Sequence, residues 1–334
     1  MRKFILTLIM TRHKLKKTTL YLLLTGKKTS SILVFGYFNQ LLPFFGLFRN
    51  LRKEDYENAL MSLQKTGLIE EKQGFLYSRS SLEAPLDLTE YPFLKGYPYS
   101  MFDQELWGLF LFSLQVLSEK SFKNAQYLPL SQDFLTGVKI KVWLKKNHLQ
   151  EEKILMVKEE IAQLNSQLPK KSANRLSQLW QGHEVLGQVP AQIYPLDKME
   201  GYLTYYHDLH SFIFFLKQGN YPLLKDLLQE KENSVSQTKK FLTKDSSLSQ
   251  LQRKRPELKP STLRDHLLEI AILEEAQFPF ENFIQKETQL ILNDYVKNHP
   301  QVIHWDYKTI SSTKEMDFLS YRLWQINYLS EVRK

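Results

Sequence analysis

The stretch "SLSQLQRKRPELKPSTLRDHLLEIAI", residues 247–272, decides how the chain is read. In "SLSQLQRKR", Leu248 and Leu251 stand three apart and share the inward face of a short helix. "PELK" is a connection. "PSTLRDHLLEIAI" is a second helix, with Leu263, Leu267, Ile270 and Ala271 at i, i+4, i+7 and i+8. Pro260 is tolerated at a helix start, and Ser261 or Thr262 is placed to cap the free N–H groups. Two short helices joined by a few residues make a helix-turn-helix, whose second helix presents its N-terminal turn to a DNA major groove. This leaves Ser261, Thr262, Arg264 and Leu268 facing outward, and hydroxyls with an arginine suit phosphates and base edges. Lys240, Lys244, Arg253, Lys254, Arg255 and Lys259 add a local basic surface. Two features oppose this. The connection lacks the glycine that often permits the tight turn, and Glu269, Glu274, Glu275 and Glu281 repel phosphates unless they are turned away. A plain helical bundle is the competing reading.

Working outward, 334 residues are too many for one small domain and suggest two or three. A hydrophobic fraction of 43% is enough for real cores, so wholesale disorder is disfavoured. The absence of cysteine excludes disulfide scaffolds and thiolate chemistry, and fits a reducing compartment. The charge is unevenly spread. Eleven Lys and Arg precede the first acid, Glu54, so the remainder of this +9 chain is net −2. A basic end on a near-neutral body points to a polyanion, nucleic acid before anionic membrane, with a solvated solubility face as the plain alternative. Lys27 and Lys28 are the candidate contacts in that end. "MRKFILTLIM" resembles a signal peptide, but its apolar run is short and no small-residue cleavage site follows. The expectation is a cytoplasmic protein with no membrane contact, and Met10 is an alternative start.

The first unit is expected over residues 1–81. "TTLYLLL", continued by "SSILVFGYFNQLL", is helical; "KEDYENALMSLQKTG" is a helix with Tyr56, Leu60 and Leu63 on one face; "LIEEKQGFLYSRS" is two short strands around Gly74. Helices followed by a hairpin give the order of a winged helix. Three prolines in 82–98 read as a linker. Residues 99–230 read as a helical middle domain, in which "FDQELWGLFLFSLQVL" is apolar nearly all round, as a central buried helix would be. Residues 231–334 form the last unit.

Other motifs carry less. "GKKTSS" at 26–31 lacks the glycine five positions before Gly26, where Tyr21 stands, so no phosphate-binding loop is expected. "HDLH" places His207 and His210 near one another, but a metal needs three or four converging ligands. His266 is best read as a packed histidine. Glu159 and Glu160 are adjacent and do not share a helix face, and no Ser/His/Asp order or glycine-rich elbow stands out. No enzyme activity and no cofactor are expected.

With these residues in view, the last unit resembles the helix-turn-helix domain at the C-terminus of RecQ-family helicases. Thr262, Leu263, His266, Leu267 and Glu269 match that family's Thr-Ile/Leu-x-x-His-leucine-x-Glu pattern, and "FPFENFI" and "DFLSYRLWQINYL" resemble its closing segments. Leu251-Gln252 departs from the usual Ile-Ala pair, and "HWDYKTISS" departs from the closing sequence. The whole chain, with "LLLTGKKTSS" near its start, is similar to the YpbB-like proteins of Firmicutes, whose genes commonly neighbour a RecQ-type helicase gene. The resemblance implies a DNA-binding accessory protein that works with a RecQ-type helicase on a separate chain, in DNA repair or recombination. The alternatives are an adaptor that docks on a helicase without touching DNA, and a helix-turn-helix transcription regulator. The fold expected is mainly α: a winged-helix-like N-terminal unit with a small β-hairpin, a helical middle and a C-terminal helix-turn-helix.

Overall fold

The computed structural model describes residues 1–12, 14–79, 84–131, 133–228, 232–312 and 315–333. It is mainly α-helical, with one three-stranded antiparallel sheet among the described residues. Two compact units divide it: Met1–Gly26 with Pro43–Glu230, and Lys27–Leu42 with Lys231–Lys334. The unit limits drawn from sequence at 81 and 231 lie outside the described residues.

The chain opens with α1 (Arg2–Arg12), β1 (Lys14–Lys16), α2 (Lys17–Leu24) and α3 (Ser30–Phe38), followed by α4 (Lys53–Lys65), β2 (Ile69–Lys72) and β3 (Phe75–Ser78). Without α3, which belongs to the second unit, this is the connectivity of a winged helix. Strand β3 lies between β1 and β2, with Leu76 opposite both Leu15 and Glu71. Helix α4 buries Tyr56, Leu60 and Leu63, as its spacing predicts. Gln73 (φ 51°) and Gly74 (φ 77°) turn β2 into β3, and two positive φ values are what the tight hairpin turn needs.

Three segments depart from the sequence reading. "MRKFILTLIM" is the first helix of the winged-helix part, with Phe4, Ile5, Leu8 and Ile9 fully buried and the Phe4 ring 5.4 Å from Phe44. "TTLYLLL" and "SSILVFGYF" are separate helices. Gly26 (φ 80°) follows the first, and the Thr29 side chain caps the second by accepting the Ile32 N–H. Residues 84–98 are packed against the unit rather than free, since Leu86, Leu94 and Tyr97 are buried and the Leu86 N–H donates to Thr7 Oγ1 at 3.2 Å.

The rest of the first unit is helical: α5 (Gly96–Tyr99), α6 (Asp103–Ser121), α7 (Phe134–Lys146), α8 (Glu151–Gln167), α9 (Lys170–Ser177), α10 (Pro190–Ile193), α11 (Met199–Gln218) and α12 (Pro222–Leu227). Helix α6 packs against α7, α8 and α11, which is why it is apolar on most sides. Its Trp107 and Phe110 rings lie 5.1 and 4.7 Å from Phe212 of α11.

Two fully buried carboxylates hold this unit. Asp208 accepts from Arg175 Nε (2.6 Å) and Nη2 (2.9 Å), Ser172 Oγ (2.6 Å) and Tyr194 Oη (2.9 Å). Burial alone raises its pKa, but the hydrogen bonds from Arg175, His207 and Ser172 and the Arg175 charge bring it down to about 2. Asp103 accepts from Arg49 at 3.0 Å and faces His210 Nε2 at 3.2 Å. His210 Nδ1 accepts the Lys95 N–H at 3.0 Å, so the ring proton sits on Nε2 and donates to Asp103. His207 and His210 thus serve different carboxylates. Among the described residues no three metal-ligating side chains converge, and no helix is long and apolar enough to cross a membrane.

The second unit joins α3 to α13 (Ser234–Phe241), α14 (Leu248–Lys254), α15 (Pro260–Leu273), α16 (Lys286–Asn298), α17 (Tyr307–Ser311) and α18 (Phe318–Val332). Helix α15 is its core, packed against α3, α13 and α18, with Leu263, Leu267 and Ala271 fully buried.

Two outcomes follow. Because the Asp208 pKa is lower in the fold than in the unfolded chain, its stabilisation is present above about pH 4 and lost as pH falls towards about 2. Urea titrations of the full chain should show that loss, of about 2 kcal/mol, and Asp208→Asn should lack this part of it. Leu267→Ala should lower the stability of the second unit by about 2–5 kcal/mol in the same assay.

Candidate nucleic-acid interface

Helices α14 and α15 form the helix-turn-helix, with residues 255–259 as the turn. Ser247 and Gln250 close a capping box at the start of α14, and Leu251 is fully buried. Pro260 is the first residue of α15, so Lys259 takes the cap position and makes no side-chain cap bond. Ser261 and Thr262 therefore lie inside the first turn rather than capping it. Ser261 is exposed and Thr262 half-buried.

The candidate cations fall into two groups. Lys27, Arg253, Lys254 and Lys259 are exposed. Lys254 also lies over the Phe241 ring, 5.8 Å from its centroid. Arg255 is different, at 4% exposure. Its guanidinium donates to Ser234 O (3.0 Å), Thr238 Oγ1 (2.9 Å), Ser234 Oγ and Gln237, and its Nε pairs with Glu257 at 2.5 Å. Arg255 braces the turn against α13 and is not placed to contact a ligand, because its donors are already used. Arg264 is also engaged, donating to Asp317 at 2.6 Å, although its side chain remains 40% exposed. Leu268, expected outside, is buried. It shares a helix face with Asp265 and Glu269, and that face meets α3.

The meeting of α3 and α15 brings residues from the two ends of the chain together. Ser30 donates to Asp265, and Lys28 Nζ pairs with Glu269 Oε1 at 2.7 Å. At the other end of α3, Tyr37 Oη donates to Glu275 at 2.5 Å, and Arg333 donates to Tyr37 O and Phe38 O at 3.2 and 2.9 Å. Glu274 is paired with Lys239. Three of the four acids that oppose a phosphate surface in the sequence are thus engaged within the unit, Glu269 with Lys28, Glu274 with Lys239 and Glu275 with Tyr37, while Glu281 is exposed. Burial and the Glu275 contact hold the Tyr37 hydroxyl well above its ordinary pKa, so it stays a donor. His266 is packed, with Nδ1 2.8 Å from Thr238 Oγ1, and burial holds its pKa below the usual value. The local sequence carries no signal for the α3–α15 contact, since Ser30 and Asp265 are 235 positions apart.

The winged-helix part presents a different surface. The exposed residues of α4 include Glu54 and Asp55 beside Lys53, and Arg52 is bonded to Asp55 at 2.8 and 2.9 Å. Lys17 is held by Glu57 (2.7 Å) and Glu71 (3.1 Å). Of the eleven N-terminal cations, Lys17, Arg49 and Arg52 are therefore paired locally, and Lys27 and Lys28 belong to the second unit.

These two units define a mainly helical chain with a winged-helix-like part and a helix-turn-helix. It is similar to Protein YpbB of Bacillus subtilis (strain 168), 25% identical over 295 residues that cover 82% of each chain. No family model and no solved structure matches it.

Arg255→Ala should cost about 2–3 kcal/mol in equilibrium urea unfolding, because it removes several charge-assisted hydrogen bonds from a buried site. Arg253→Ala, on the exposed face, should stay within about 0.5 kcal/mol of the parent.

Proposed function

We propose that the chain is a non-enzymatic, DNA-binding accessory protein that acts with a RecQ-type helicase carried on a separate chain. The observation that carries this reading is the internal engagement of Glu269, Glu274 and Glu275, which leaves Lys27, Arg253, Lys254 and Lys259 as exposed cations of the helix-turn-helix unit. Lys259 at the cap position and Ser261 and Thr262 in the first turn of α15 then lie where free N–H groups and the positive end of the helix dipole also favour phosphate. The helicase partner rests on the resemblance of "TLRDHLLEIAI" to the RecQ-type C-terminal domain. On this reading DNA contact falls in the second unit, where Lys27 joins the cations of the helix-turn-helix and Lys28 is spent on Glu269.

A second reading has one observation in its favour. The exposed charges of α4 are balanced, Glu54 and Asp55 against Lys53 and Lys65 with Arg52 bonded to Asp55, so this helix offers phosphates no excess of cations and is a suitable surface for a protein. An adaptor that docks on a helicase through this surface would need no DNA contact.

Fluorescence anisotropy of the full chain with labelled single-stranded, duplex and forked DNA, titrated with salt, separates the readings. Joint replacement of Lys27, Arg253, Lys254 and Lys259 by Glu should weaken binding at least tenfold and reduce the slope of log K against log salt by about three to four. Binding unchanged by this replacement, or no binding by the parent at low salt, would reject the DNA reading. Co-purification with the helicase that survives the same replacement would then favour the adaptor.

A further inference from the structure

The first unit holds an open groove of about 580 Å³ between α6, α8 and the segment that follows α9. That is the size of a small-molecule site. Its walls are largely apolar, built by Leu114 and Leu117 of α6, Ile161 and Ala162 of α8, and Val185. The polar groups in the lining are selective. Lys158, Ser118, Asn165, Ser166, Trp180 and Gln181 line it, and no carboxylate does.

Four buried side-chain polar atoms of the described residues lack a hydrogen-bond partner, and two of them belong to this lining: Trp180 Nε1, a donor, and Asn165 Oδ1, an acceptor. Both atoms lie beneath the surface of the groove and are not open to it. Lys158, exposed at the groove, is in no ion pair among the described residues. Ser118 Oγ already accepts the His183 N–H at 3.0 Å, which leaves its own O–H free to donate. The groove therefore offers an ammonium and a hydroxyl as donors, and apolar walls.

We propose that this groove is a binding site for a small apolar molecule with an anionic head group. The apolar body is covered by Leu114, Leu117, Ile161 and Val185, and the head group is held by Lys158, with the Ser118 hydroxyl as a further donor. The proposal is independent of the DNA surface, which lies in the other unit.

The test uses the full chain and the dye 8-anilinonaphthalene-1-sulfonate, which combines apolar rings, a sulfonate and one N–H. Saturable one-to-one binding is expected, with 2-naphthoate displacing the dye. Ala162→Phe should weaken binding at least tenfold by filling the groove, and Lys158→Gln at least threefold by removing the cation. Phe134→Asp, on an exposed apolar stretch of α7 outside the lining, should leave binding unchanged. Near-ultraviolet circular dichroism verifies that each variant keeps the parent fold; Lys158 is exposed, so Lys158→Gln decides the matter if Ala162→Phe does not fold. Absence of saturable binding, parental affinity in folded Ala162→Phe and Lys158→Gln, or loss of binding in Phe134→Asp would overturn the proposal.

Discussion

The second unit depends on the enclosure of α15. Three helices, α3, α13 and α18, pack against it, and most of its residues from Leu263 to Ile272 are buried. Such a helix needs polar partners for whatever charge it carries inward. Glu269 meets that need with Lys28, and the neighbouring Glu275 is met by Tyr37, both from a segment near the other end of the sequence. Glu269 is 10% exposed, so removing Lys28 would leave a poorly solvated carboxylate without its cation. The same pairing offsets the charge of Glu269 within the unit, so that this acid no longer opposes a phosphate outside.

Helix-turn-helix geometry was legible because it is local. Leu251, Leu263 and Leu267 are where a 3.6-residue period puts core, and Pro260 marks the start of α15. Helix α4 and the hairpin at Gly74 were legible for the same reason. What escaped was non-local. Leu268 reads as an outward residue on a helix with one apolar face, and becomes core only because α3 covers that face. Arg255 reads as one more cation in "QRKR", but the donors it spends on Ser234 and Thr238 belong to the tertiary fold. The three residues of β1 are too few to show alternation, and they pair with β3 some sixty residues later. The groove beside Trp180 left no signal at all, because its walls come from three separated segments.

Charge followed a similar pattern. A count along the sequence places eleven cations at the N-terminus without an acid among them. In space, Lys17 meets Glu57 and Glu71, Arg49 meets Asp103, and Arg52 meets Asp55. A solvent-exposed pair such as Arg52–Asp55 adds little to stability. Its effect here is on the surface potential, since a cation paired at short range contributes little to a field felt several ångströms away.

The insertion of α3 into the second unit also sets an order of events for a chain made from its N-terminus. Ser30 leaves the ribosome 235 residues before Asp265. At roughly 5–20 residues per second that interval is about 10–50 s. During it, Ile32, Leu33, Val34, Tyr37 and Phe38 have been made, but the helix that buries them has not. The flanking segments, up to Gly26 and from Pro43, can meanwhile assemble as part of the first unit, holding α3 as an apolar loop on a formed body. The second unit is therefore closed last, by a piece of chain synthesised among the first.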